Sequence, residues 1–130
     1  MALEVDPDAN ASDRVVRFLR AWSLNDGASL DTLYHDDATH RGPGVSLLYP
    51  GLTDATLRSR ASIKDFVDRI AAADLGEVTI RITAAYETGQ VSITEYGVSF
   101  PDGRVAHWAE IDEWDGDRVR TVRAYHLPIE

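Results

Sequence analysis

The sequence predicts an α+β domain in which a curved, mixed or largely antiparallel sheet wraps around three N-terminal helices. Apolar residues recur at helical spacing in the first half of the chain and alternate with period two from Val78 onward. The second half is also punctuated by short glycine-containing turns, TG at Thr88–Gly89, DG at Asp102–Gly103 and DG at Asp115–Gly116. There are no internal repeats and no low-complexity segments, so residues 12–130 read as one domain. Residues 1–11, small and acidic with one proline, read as a flexible lead-in.

Ser12 reads as the N-cap of a first helix in which Val15, Phe18, Leu19 and Trp22 share a face, with Gly27 at its end. Ser29 reads as the cap of a shorter helix, LDTLYHDDA, with Leu30, Leu33 and Tyr34 on one side. A short extended segment at Thr39–Arg41 leads into a long connection, GPGVSLLYPGLTDATLRS, whose length suggests a functional or mobile loop. From Ala61 a third helix places Ile63, Phe66, Val67, Ile70 and Ala71 on one stripe. Four strands follow: EVTIRITAAY, QVSITEYGVSF, VAHWAEIDEW and RVRTVRAYHLP. In the second of these the apolar phase switches between Ile93 and Tyr96, which predicts a bulge near Glu95.

Composition narrows the function classes. The net charge of −9 disfavours nucleic acid and anionic membranes as partners. Lys64 is the only lysine, in a polar part of the third helix, which disfavours Schiff-base chemistry. With no cysteine, thiolate nucleophiles and cysteine-ligated metals are excluded. The four histidines, His35, His40, His107 and His126, have no metal-ligand spacing, and no serine-nucleophile, phosphate-loop or dinucleotide motif is present. No metal or cofactor is therefore expected. The N-terminus has no signal-peptide pattern and the chain has no long apolar run, so a cytoplasmic protein is expected.

The element order, with AWSLNDGASLDTLYHDDATHRGP, ASIKDFV and IDEWDGDRVRTVRAYH, resembles the NTF2-like superfamily over residues 12–127, and within it the SnoaL-like polyketide cyclase and ketosteroid isomerase branch. The resemblance implies a cone of three helices and four to six strands opening into an apolar pocket. It also implies a homodimer, formed through the outer sheet face bearing His107, Ile111 and Arg123. Transferred residue by residue, the oxyanion tyrosine of the isomerases falls on Phe18 and their general base near Gly42, whereas their second acid is retained as Asp112. Isomerisation of a steroid double bond by that mechanism is therefore not expected. The cyclase branch, with acid–base work done by an aspartate on the penultimate strand, is the nearer match.

In VAHWAEIDEW, strand alternation puts Trp108, Glu110 and Asp112 on one face and His107 on the other. The resemblance turns the first face toward the pocket. Asp112, His126 and His40 are then the candidate catalytic groups, because a carboxyl in an apolar cone has its pKa raised and histidine titrates close to neutrality. Glu110 is either the partner of Asp112 or a rim residue in water. Trp22, Phe18, Tyr49, Phe66, Trp108, Tyr96, Val122 and Ala124 are candidate contacts for an apolar ligand, with Tyr49 on a lid. Two functions follow: a cofactor-independent acid–base enzyme (cyclase, isomerase, dehydratase or epoxide hydrolase) acting on an apolar cyclic molecule such as a polyketide or steroid-like compound, or a non-catalytic binding or interaction module on the same fold.

Overall fold

The structure, a computed structural model, describes residues 3–128; Met1 and Ala2 of the expected lead-in, and Ile129 and Glu130 of the expected domain, lie outside them. The elements run β1 (Leu3–Val5), α1 (Asp13–Ser23), α2 (Gly27–Leu33), β2 (Tyr34–Arg41), α3 (Pro43–Leu48), β3 (Thr56–Leu57), α4 (Arg60–Ala72), β4 (Thr79–Thr88), β5 (Val91–Ser99), β6 (Val105–Asp115) and β7 (Arg118–Leu127). One open seven-stranded sheet has the order β1-β4-β5-β6-β7-β2-β3. The β4–β7 meander is antiparallel, while β1 runs parallel to β4 and β2 parallel to β7. The α+β cone expected from the sequence is therefore present, with a mixed sheet.

Several boundaries differ from the sequence expectation. The lead-in is not free: Leu3 is buried and pairs with Ile80, and Ala9 is buried as well. A strand of three residues lacks the length to show a period, so its pairing was invisible in the sequence. α1 ends before Gly27, in a Schellman turn where Asn25 adopts φ 50° and the amides of Asn25 and Asp26 bond the carbonyls of Trp22 and Ala21. Asp26, not Ser29, caps α2, its carboxylate accepting from both the amide and the hydroxyl of Ser29. The third predicted helix is α4, capped by Ser59, and the long connection before it contains a fourth, short helix, α3, and the strand β3.

The expected bulge lies on the neighbouring strand. In β4 the pairing steps from Ile82↔Tyr96 to Ala84↔Glu95, so the extra residue is beside Thr83, and β5 keeps a single phase. That phase buries Ser92 and Thr94 and exposes Ile93, the reverse of what polarity alone predicts.

The core lies between the helices and the inner sheet face. Phe18, expected at the pocket, is fully buried in it, edge-on to Tyr34 and Trp114 at centroid distances of 5.3 and 5.9 Å. Val122, also expected at the pocket, is fully buried in the same core. Leu3→Ala is expected to cost about 2–5 kcal/mol and Phe18→Ala about 3–5 kcal/mol in urea unfolding, the costs of leaving cavities in a packed core. A flexible lead-in would leave Leu3→Ala within about 0.5 kcal/mol of wild type.

Candidate active site

A cavity of about 230 Å³ opens between the helices and the sheet. α1 contributes Trp22, α4 contributes Phe66, β5 contributes Tyr96, and β6 contributes Trp108 and Glu110. His40 of β2 and Ala124 of β7 complete the group of expected residues that line it. Trp22, His40 and Phe66 form one aromatic wall with centroid separations of 5.4–5.8 Å. The remaining lining is mostly aliphatic and includes Leu19, Ile70 and Val98, and among the described residues no lysine or arginine reaches it.

The polar groups gather on one side. Glu110 and Asp112 are both buried, pointing inward from alternate positions of β6. Glu110 lines the cavity, and Asp112 lies deeper, cross-strand between Ser92 and Val122. Their carboxyls hydrogen-bond each other, which requires a proton between them, since carboxylates are acceptors only. Without that proton, Glu110 Oε2 and Asp112 Oδ1 are buried polar atoms lacking a partner; one shared proton supplies the donor they need.

Burial pushes Asp112 well above the usual carboxylate range, and the neighbouring Glu110 charge adds to the rise, while Arg123 pulls weakly the other way. Burial also raises Glu110, but the hydrogen bonds from Asp112 and Tyr96 favour its charged form. Tyr96 Oη donates to Glu110 Oε1 at 3.0 Å. The proton therefore resides on Asp112, and Glu110 is the ionised member that faces the cavity. This reverses the roles expected for the two residues: Asp112 is a buried acid behind the site, and Glu110 is the group a ligand can touch. Thr94, directly opposite Glu110 on β5, has a buried hydroxyl without a partner.

His40 is buried, and burial lowers its pKa to about 4, so it is neutral at physiological pH. Its Nδ1 lies 2.9 Å from Tyr34 Oη. Tyr34 was assigned to a helix in the sequence; it is instead the first residue of β2 and part of the polar floor. Its hydroxyl is pushed well above 10 by burial and by the charge of Glu110.

Besides Phe18 and Val122, two more expected site residues lie outside the cavity. His126 follows Ala124 in phase, yet it is exposed and stands edge-on to Trp108 at 5.5 Å, outside the cavity and away from Asp112. Tyr49 does not line the cavity: its hydroxyl donates to Asp65 and Arg69 stacks on its ring, so it joins the end of α3 to α4. Among the described residues, no group of three histidine or acidic side chains could hold a metal ion, and no helix is long and apolar enough to cross a membrane.

The family model described as a SnoaL-like domain matches residues 15–123. No curated protein matches the sequence. Among solved structures, a protein with a ketosteroid isomerase-like fold from Catenulispora acidiphila, in complex with trimethylamine, superposes with a TM-score of 0.72 at 22% identity, covering 92% of this chain and 88% of that one. A protein provisionally named a SnoaL-like polyketide cyclase, from Shewanella putrefaciens, gives a TM-score of 0.72 at 16% identity, covering 87% and 77%. An LEH-like epoxide hydrolase from M. tuberculosis gives 0.65 at 18% identity, covering 88% and 80%.

Asp112 and His40 affect stability with opposite signs as pH changes. Folded Asp112 keeps its proton above pH 4 while the unfolded residue releases it, so its contribution falls as pH rises, by about 1.4 kcal/mol per unit. Folded His40 is neutral above about 4 whereas unfolded histidine holds a proton up to about 6.5, so its contribution rises with pH at the same slope. Denaturation between pH 4 and 6.5 should accordingly show Asp112→Asn gaining stability with pH relative to wild type, and His40→Gln losing it. Parallel curves for the two variants would contradict this assignment of protons.

Proposed function

The chain belongs to the SnoaL-like domain family, and from that premise we propose that it is a cofactor-independent enzyme moving protons on a small apolar ring compound that bears a carbonyl or epoxide oxygen. The observation supporting this most directly is the buried Glu110–Asp112 pair, with its ionised member on the wall of an apolar cavity. A desolvated carboxylate is a stronger base than one in water, because burial penalises its charge. On a ketone, Glu110 would remove a proton from the carbon beside the carbonyl, the C–H electron pair shifting toward oxygen to give an enolate. Returning the proton elsewhere gives isomerisation, and delivering it to a departing hydroxyl gives dehydration. Structural neighbours named as a polyketide cyclase and an epoxide hydrolase work in the same chemical class.

Cavity size limits the substrate. A cavity of about 150 Å³ holds benzene, so about 230 Å³ suits one substituted ring or a compact two-ring system. A four-ring steroid exceeds it. In deuterated water, with no cofactor added, the protein is expected to catalyse α-hydrogen exchange in members of a panel of one- and two-ring ketones. Glu110→Gln should lower that rate about 10²–10⁴-fold, the usual contribution of a general base.

A small organic cation is the alternative occupant, with no catalysis. The Catenulispora neighbour carries trimethylamine, and Trp22, Phe66, Tyr96 and Trp108 surround a cavity that Glu110 lines with no lysine or arginine among the described residues. Calorimetric binding of trimethylammonium, lost in Glu110→Gln, combined with no exchange in any ketone, would establish that function instead.

The outer sheet face supports a homodimer. Tyr86, Ile93, Ile111 and Arg123 form one row across β4 to β7, with Tyr86 64% and Ile93 41% exposed. Light scattering should give twice the chain mass, and Ile111→Glu should give the chain mass alone.

A further inference from the structure

We propose that Tyr34 is a positioning residue that holds His40 in the tautomer with its hydrogen on Nε2, presenting a neutral N–H donor to the oxygen of the bound ring compound. The donors and acceptors around the phenol determine the direction of the hydrogen bonds. Among the described residues Tyr34 Oη has one hydrogen-bond partner, Nδ1 of His40 at 2.9 Å, and a phenol O–H donates while a bare ring nitrogen accepts. If Nδ1 of His40 instead donated to that hydroxyl, the fully buried Tyr34 O–H would have no acceptor left. Donation from the Tyr34 O–H to Nδ1 satisfies that buried donor and leaves the imidazole hydrogen on Nε2.

Among the described residues nothing uses that hydrogen. His40 lines the cavity, its Nδ1 is occupied by Tyr34, and Nε2 is not among the sealed polar atoms that lack a partner. Glu110, which also lines the cavity, takes its hydrogen bond from Tyr96, and His40 has its own with Tyr34, so the two are not paired with each other. A donor and a base thus face the same cavity without touching each other. Neutrality matters here, because an imidazolium would form an ion pair with Glu110 and weaken it as a base. In the proton-transfer function proposed above, on which this role depends, the enolate oxygen forms at His40 while the proton goes to Glu110.

Nuclear magnetic resonance of the full chain with ¹⁵N-labelled histidine tests the assignment without turnover. Wild-type His40 is expected to show a protonated Nε2 and a bare Nδ1, and to remain neutral down to about pH 5. Tyr34→Phe should raise the Nδ1–H tautomer at least several-fold, since the donor to Nδ1 is gone. Bound cyclohexanone is the second probe: its infrared carbonyl band should shift to lower frequency in wild type and in Glu110→Gln, and lose at least half of that shift in Tyr34→Phe. A wild-type Nδ1 carrying the hydrogen, or an unchanged tautomer ratio in Tyr34→Phe, overturns the proposal. Should Tyr34→Phe fail to fold, the wild-type spectrum decides alone. Absence of ketone exchange would remove the enzymatic function yet leave the tautomer assignment standing.

Discussion

Two carboxyl groups buried side by side beneath an apolar cavity cannot both be ionised, and the inner face of the cone is arranged around the single charge that remains. Asp112 keeps its proton and gives Glu110 one hydrogen bond; Tyr96 gives it a second. These bonds substitute for the water that burial removes. No cation reaches the cavity lining among the described residues, so the charge is held by neutral donors and stays available to a ligand. Arginine is plentiful elsewhere: Arg123 pairs with Glu113 on the outer face, and Arg60 and Arg118 bind Asp36 at the surface. A buried arginine beside Glu110 would hold its pKa down and make it an inert salt bridge.

Strand phase in the sequence correctly identified which β6 residues face inward, but it carries no information about depth. Asp112, Glu110 and Trp108 lie on one face as read, yet only Glu110 and Trp108 line the cavity and Asp112 lies below it. The same limit misplaced His126: its phase follows Ala124, but its side chain is exposed. Depth depends on where the helices cross the sheet, which is a tertiary property. On β5 the rule that apolar residues point inward failed outright. Ser92 and Thr94 are buried because the inner face there is polar: Ser92 accepts the Trp114 indole hydrogen at 2.9 Å and Thr94 stands opposite Glu110. Local propensity and final position disagree where a site is built.

Tyr34 was missed for a different reason, and that reason explains how the site is assembled. LYHDDATH continues a helical apolar pattern through Tyr34, but the chain turns extended there and β2 pairs irregularly with β7. Its partners step from Val119 at Tyr34 to Thr121 at Thr39, so five residues of β2 span two of β7; Asp36 and Asp37 turn outward while Ala38 stays in the core. In a regular strand Tyr34 and His40 would be about 20 Å apart; across the bulge their side chains are 2.9 Å apart.

One acidic residue of the bulged segment, Asp36, ties it to neighbouring elements. Asp36 bonds Arg60 of α4 and Arg118 of β7 at 2.9 and 3.1 Å, and Arg118 also reaches the carbonyl of Tyr34. The HDD run that reads in sequence as a solvated charge cluster therefore acts through the backbone. It shortens the strand so that a tyrosine and a histidine six residues apart can meet beneath Trp22. The base comes from β6, with its donor on β5; the neutral histidine comes from β2, on the far side of β7. The register of the meander places the first, and the bulge places the second, so a change at Asp36, exposed and distant from any ligand, acts on the half of the site that holds His40 and leaves Glu110 where it is.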